Sequence, residues 1–462
     1  MKKLFFAICV LPLLLFSSCD LLGLGGMFSG NFWAINFITY TPYRVNAELL
    51  YEGTYCEVWV EKGSGLKQDQ IDKIGLEYDT KIHGKMMDNF SLEDIVFKGT
   101  PYADTWELAD YLVDGNGKIC ILLLDIKDGY KPFINESYIA GYFFAEDFFD
   151  SFYSNQRAII YIDTYPGITG EGRSVEDCYG TLVHELQHLM HFVSCVYKSQ
   201  GEDEILQSDI WIDEGLSSAA EFVYDGHVGE RIGWFQENGG GAGKIPQGNN
   251  FYVWDNHTPS ITVLDDYATV YLFFQWVRLQ TGGNSNIYRK IISSEHFDHR
   301  AVTSVMGPGF SNWDFIIRAW LAANYINAPN GPYGYMDDPV LKNIRTPAPS
   351  SNQTTVKLFP GEGVYSIANT NPNLAGQGVN IKNVFLIAPN TLSDNFSTGS
   401  TLLTYNKNEN PEAAAEDGKT TGVPIPAASA SLSGHFYIPA VTGPFRIGAQ
   451  DFLRQRTGEI NE

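Results

Sequence analysis

The chain has 462 residues, 31 of them basic and 54 acidic, for a net charge of −23. Hydrophobic residues make up 44% and charged residues 18%, which excludes a largely disordered chain, and the length suits two or three domains. The acidic field repels phosphate backbones and no basic cluster interrupts it, so nucleic acid is excluded as a partner.

The N-terminus reads as an export signal. Met1-Lys2-Lys3 is a positive start, and Leu4 to Phe16 is an apolar run too short to span a bilayer. It ends in Phe16-Ser17-Ser18-Cys19, which resembles the lipobox of bacterial lipoproteins. Phe16 stands where Leu is usual, a looseness shared by spirochaetal lipoboxes. The resemblance implies that residues 1–18 are removed and that Cys19 is acylated. The chain would then sit on a membrane of the bacterial cell envelope, outside the cytoplasm, with residues 19–30 as a Gly- and Leu-rich tether. The alternative is an ordinary secretory signal with an incidental cysteine. No later apolar stretch is long enough to cross a membrane. Four cysteines remain: Cys56, Cys120, Cys178 and Cys195. Cys178 and Cys195 flank one predicted helix, about 25 Å apart at helical rise, too far to bridge. Cys56–Cys120 is open as a disulfide, with free thiols the alternative.

In chain order, residues 31–60 alternate as strands, notably Ala47–Tyr51 and Tyr55–Val60. Gln68–Met87 has helical apolar spacing. Ile119–Leu124 is an unbroken apolar run, hence a buried strand, and Gln156–Asp163 is another. Ser174 and Asp177 are spaced as a capping box that opens a helix through about Tyr197. Helical patterns follow over Ile212–Val223, Tyr267–Gln280, Ile287–Ser293 and Trp313–Tyr325. Beyond about residue 340 the texture changes to short strands between Gly, Pro and Asn: Thr355–Phe359, Val364–Ile367, Val384–Ala388 and Leu402–Tyr405. Asn406–Gly422 reads as a mobile loop. The predicted fold class is α+β. Residues 31–335 form one region, with a sheet and a long helix over 31–200 and a helical subdomain over 201–335. A β-sandwich-like module occupies 340–462.

The chemistry concentrates in His184-Glu185-Leu186-Gln187-His188, an HExxH motif. Histidines at i and i+4 share one helix face and can grip one metal ion, while Glu185 lies beside them, able to reach a water without ligating. Chance gives such a pentapeptide in roughly one chain in a hundred of this length and composition. The surrounding Leu182, Val183, Leu186, Leu189 and Met190 make the helix buried, so its polar groups need a partner to offset desolvation. A metzincin pattern fails, because His191 and Ser194 stand where that class has Gly and His. His191 reads as a packing residue, or one that orients a ligand from behind.

Downstream lies Trp211-Ile212-Asp213-Glu214-Gly215-Leu216-Ser217, with Glu221 seven residues beyond Glu214. HExxH followed by this segment resembles the gluzincin metallopeptidases, most closely the hyicolysin type, over about Ala158 to Glu221. The resemblance implies a zincin-like catalytic region and one catalytic Zn2+ held by His184, His188 and Glu214, with Glu185 as general base. Glu221 lies on nearly the same face as Glu214, two turns on, and is expected to orient a ligand histidine, with a solvated surface acid as the alternative. Ser218 stands where thermolysin-like enzymes carry Asp, which argues against that branch. Tyr267 is the candidate donor to the oxyanion, with Tyr271 and His257 in reserve; a packing role is the alternative in a chain with 26 tyrosines. The GxMEN motif of related aminopeptidases is absent, which favours endopeptidase action on a protein or peptide substrate. The rival reading is a non-catalytic surface lipoprotein, an adhesin or binding module on the same fold.

Overall fold

The structure is a computed structural model that describes residues 29–90, 108, 115–134, 138–202, 205–236, 264–310 and 313–344, together with the backbone of five short strands between 355 and 442. The signal and tether up to residue 28, His257, Val364–Ile367, Val384–Ala388 and Asn406–Gly422 lie outside the described residues, and with them most of the expected β-sandwich-like module.

The first half of the chain builds a mixed sheet from β1 (Ser29–Asn36), β2 (Thr41–Glu52), β3 (Cys56–Glu61), β4 (Ile119–Leu124), β5 (Tyr138–Phe143) and β6 (Ile159–Asp163), in the order β1-β2-β3-β4-β6-β5. β3, β4 and β6 run parallel, and β5 returns antiparallel to β6. Among the short strands, Ala440–Thr442 adds antiparallel to the other edge of β5. The register places Val58, Ile121 and Ile160 side by side, then Val60, Leu123 and Ile162, all facing the helices. Trp59, Leu122 and Tyr161 point the other way. Both faces are buried, which is why β4 reads as a continuous apolar run without alternation.

The far face closes because the sheet curls until β1 lies across β5 and β6. Tyr142 Oη accepts the Ile35 N–H at 3.2 Å. The Asn155 amide accepts the Trp33 N–H at 2.7 Å and donates to the Trp33 carbonyl at 2.9 Å. Side chains thus satisfy part of the β1 edge that would otherwise be open to pairing. The register of β3 and β4 decides the cysteines. Cys120 pairs with Glu57, next to Cys56, so the two thiols point to opposite faces and cannot bridge. All four cysteines are buried free thiols.

The Gln68–Met87 segment is helical but not uniform: α1 (Gln68–Glu77) passes through a π-turn (Tyr78–Ile82) into α2 (His83–Asn89). The wide turn brings the Asp79 carboxylate to the β2–β3 hairpin, where it accepts the N–H groups of Thr54 and Tyr55 at 2.6 and 2.9 Å. The Ser174–Asp177 capping box is present, opening a 3-10 turn that continues as α3 (Tyr179–Lys198). Beyond it come α4 (Ile210–Asp225), α5 (Gly229–Phe235), α6 (Leu264–Gln280), α7 (Asn286–Ile292), α8 (His299–Val305) and α9 (Trp313–Ile326). Every residue of α6 from Leu264 to Arg278 is buried, so this helix is the axis around which the helical part packs. Among the described residues no helix is long and apolar enough to cross a membrane.

Sequence periodicity misses β5. Its central Gly141 weakens the strand pattern, but a Cβ there would press on the Thr181 side chain of α3 and the Tyr161 carbonyl of β6. The glycine that hides the strand is the one that lets α3 lie close on the sheet.

Behind the curl, Asp147 is fully buried and accepts from Tyr161 Oη at 2.6 Å and the Asn155 N–H at 2.6 Å. Burial, outweighing these hydrogen bonds, pushes its carboxyl up to about 7. The folded state therefore keeps a proton that the unfolded chain has already released. The stability associated with this group is present below about pH 4 and is lost as pH rises to about 7. Asp147→Asn, permanently neutral, is expected to remove this part of the decline. Urea midpoints at pH 5 and pH 8 should lie closer together in the variant than in the wild type.

Candidate metal centre

α3 carries His184 and His188 on one face, with ring centroids 4.9 Å apart. α4 packs directly against that face and delivers Glu214. Its Oε2 lies 3.3 Å from His184 Nε2 and 3.4 Å from His188 Nε2. One ligand atom from each of the three residues lies within 4.8 Å of the others. The three are at most 1% exposed. Glu214 Oε1 is buried without a hydrogen-bond partner, a costly state for a carboxylate oxygen unless something cationic faces it. Two imidazoles and one carboxylate are the donor set of a catalytic zinc site, which leaves a coordination position open. The residues fit that ion. Glu185 is also fully buried, one residue round the helix from His184.

Each imidazole is held from behind. His184 Nδ1 meets Glu221 Oε1 at 2.8 Å, so Glu221 stands where the helical spacing anticipates it. His188 Nδ1 meets Asp213 Oδ2 at 2.9 Å. The carboxylates are held in turn. Arg231 of α5, 5% exposed, donates from Nη2 to Glu221 Oε1 at 2.7 Å. His191 Nδ1 lies 2.7 Å from Asp213 Oδ1 as a close ion pair, and its Nε2 is 2.9 Å from Ser208 Oγ. Burial raises the Asp213 carboxyl, but His188 and His191 beside it win and bring it down to about 2. Burial lowers His191, and Asp213 overrides this, lifting it to about 9. At His184 and His188 burial is likewise outweighed by the surrounding carboxylates, and both are raised.

The α4 segment supplies one more polar neighbour. Ser217 Oγ donates to the Glu214 carbonyl at 2.9 Å and sits 3.0 Å from His184 Nε2. Tyr267, in the first turns of α6, places its ring 5.9 Å from that of His184 and 4.7 Å from the Arg231 guanidinium. Burial, with Glu214 close by, keeps its phenol protonated. Tyr271 is engaged elsewhere: its hydroxyl accepts the Val228 N–H at 3.0 Å and lies 3.3 Å from His227 Nδ1, tying α6 to the turn before α5.

Three residues at this site escaped sequence reasoning. Asp213 had a signal, since adjacent acids in an apolar helix must both find partners. Ser217 and Arg231 had none; Arg231 arrives only because the chain turns back at Gly226, where φ is +87°.

No protein-family model matches the chain. It is similar to the neutral metalloprotease ShpI of Staphylococcus hyicus, 29% identical over 350 residues, which cover 74% of this chain and 72% of that protein.

Gly215 follows Glu214, and a Cβ there would meet the ring of Phe274 on α6. The missing side chain is what lets α4 lie on α6 with Glu214 facing α3. Gly215→Val is expected to destabilise the fold by about 1–3 kcal/mol through overpacking, read as a lower midpoint in chemical denaturation.

Proposed function

We propose that this chain is a zinc-dependent endopeptidase of the gluzincin type, most like the hyicolysin branch, holding one catalytic zinc through His184, His188 and Glu214. The observation that carries the reading is the convergence of these three buried side chains from two helices, with Glu185 on the same helix as both histidines. Similarity to a neutral metalloprotease supports it and points to a protein or peptide substrate.

A zinc ion held there supplies Lewis acidity toward a water and a peptide carbonyl. Glu185 takes the proton as water adds to the carbonyl carbon, then passes it to the departing amine. Tyr267, its phenol kept protonated and its ring beside His184, is assigned as donor to the oxygen that gains negative charge. Glu221 and Asp213 hold the two imidazoles in the tautomer that turns Nε2 toward Glu214.

Glu185→Gln preserves size but cannot carry the proton. Peptide cleavage should fall by about 10²–10⁴-fold while zinc content stays near one per chain. His184→Ala should lose both zinc and activity. Undiminished cleavage by Glu185→Gln would move the chemistry elsewhere. A zinc-loaded wild type that cleaves nothing across a broad peptide library would favour a binding protein on the same fold.

The N-terminal motif supports attachment to the cell envelope through an acylated Cys19, outside the cytoplasm. Cys19→Ser is expected to abolish lipid labelling and release the protein from the membrane fraction. Unchanged fractionation would instead mark an ordinary signal or an uncleaved segment.

A further inference from the structure

We infer that His191, the third histidine of His184-Glu185-Leu186-Gln187-His188-Leu189-Met190-His191, is a positioning residue that sets metal affinity by bracing Asp213 against the ligand His188. The inference rests on the zinc reading of the site.

His188 and His191 lie three residues apart on α3, so both face the same side. Asp213, in the first turn of α4, meets both with one carboxylate: Oδ2 at 2.9 Å from His188 Nδ1 and Oδ1 at 2.7 Å from His191 Nδ1. The His188 contact is a hydrogen bond, whereas the His191 contact is an ion pair by distance, its two atoms not aligned for a hydrogen bond, and it holds Oδ1 by charge. Asp213 is 5% exposed, so no bulk water replaces a lost partner. The far side of the His191 ring is fixed too, with Nε2 2.9 Å from Ser208 Oγ in the segment that leads into α4. With Nε2 bonded to Ser208 and Nδ1 in ion-pair contact with Asp213, the ring is turned to those two residues, and His191 does not join the group of His184, His188 and Glu214.

Across the site a related arrangement is built from different residues, there with both contacts on one oxygen, Glu221 Oε1. Glu221 holds His184, and the Arg231 guanidinium holds Glu221. Each ligand imidazole thus has a carboxylate behind it and each carboxylate has a basic side chain behind it. His191 does for Asp213 what Arg231 does for Glu221. A residue that merely fills space would act through its volume; a brace acts through the polar group it sets against Asp213.

Two amides separate these roles. Asn places a donor near the Nδ1 position, facing Asp213, whereas Gln places one near Nε2, facing Ser208. Zinc affinity of the metal-free full chain, measured by competition with a chromophoric chelator, should fall about 10–100-fold in His191→Gln and His191→Leu. His191→Asn should recover most of the loss, and Asp213→Asn should weaken zinc binding to a similar extent as His191→Gln. The visible spectrum of the cobalt-substituted protein should change in the Gln and Leu variants and stay close to wild type in Asn. Equal losses in all three His191 variants, no loss in any, or losses that follow the thermal stability of the metal-free proteins would overturn the inference. Should the Leu variant fail to fold, the Asn–Gln comparison and Asp213→Asn decide alone. Failure of the zinc reading looks different, because wild type and His184→Ala would then bind zinc equally weakly.

Discussion

The burial of two imidazoles and a carboxylate where α3 meets α4 is the constraint to which the helical part of the chain answers. Groups that could ionise are held there at no more than 1% exposure. Such burial is costly unless each polar atom has a partner. The partners come in layers. Glu221 and Asp213 stand behind the histidines, and Arg231 and His191 stand behind the carboxylates. Glu214 Oε1, buried without a hydrogen bond, is an atom that a cation would satisfy.

One helix carries most of this load. Asp213, Glu214, Ser217 and Glu221 all belong to α4, so Glu214 and both imidazole-holding carboxylates are presented by one helix. Their placement depends on how closely α4 approaches its neighbours, and that distance is set by a missing side chain. Gly215 admits the ring of Phe274, and on the other side of α3 Gly141 admits Thr181. A substituent at either glycine would push apart the elements that hold the site together. The sheet contributes indirectly: its parallel centre is buried on both faces, and its curl seals the far face, leaving a stiff floor under α3.

Much of this was legible in the residues. Spacing alone placed His184 and His188 on one helix face with Glu185 beside it, and put Glu221 on the same side as Glu214. Periodicity found α3, α4, α6 and α9 because long helices repeat their apolar face several times. It found the 7-residue α7 as well, but missed α5 and α8, and β5, whose pattern Gly141 interrupts. It also read a plain helix over Gln68–Met87, where the backbone widens into a π-turn so that Asp79 can reach the hairpin.

Local covalent order determined what a single element decides: the donor types, their spacing along one helix, the cap at Ser174 and the buried character of β4. Contacts between elements distant in sequence were decided only by the tertiary structure. The two faces of the sheet separate Cys56 from Cys120, so the disulfide left open by the sequence does not form. His191 could have been a ligand, a filler or a brace by its spacing. The arrival of Asp213 from another helix sets a carboxylate against its Nδ1, and Ser208 from the chain leading into that helix bonds its Nε2. Arg231 and Tyr267 reach the site from α5 and α6 by packing, not by any local pattern. The physical reason is the same in each case: a side chain's rotamers and helix face follow from its neighbours in sequence, whereas its partner follows from burial shared with residues far along the chain.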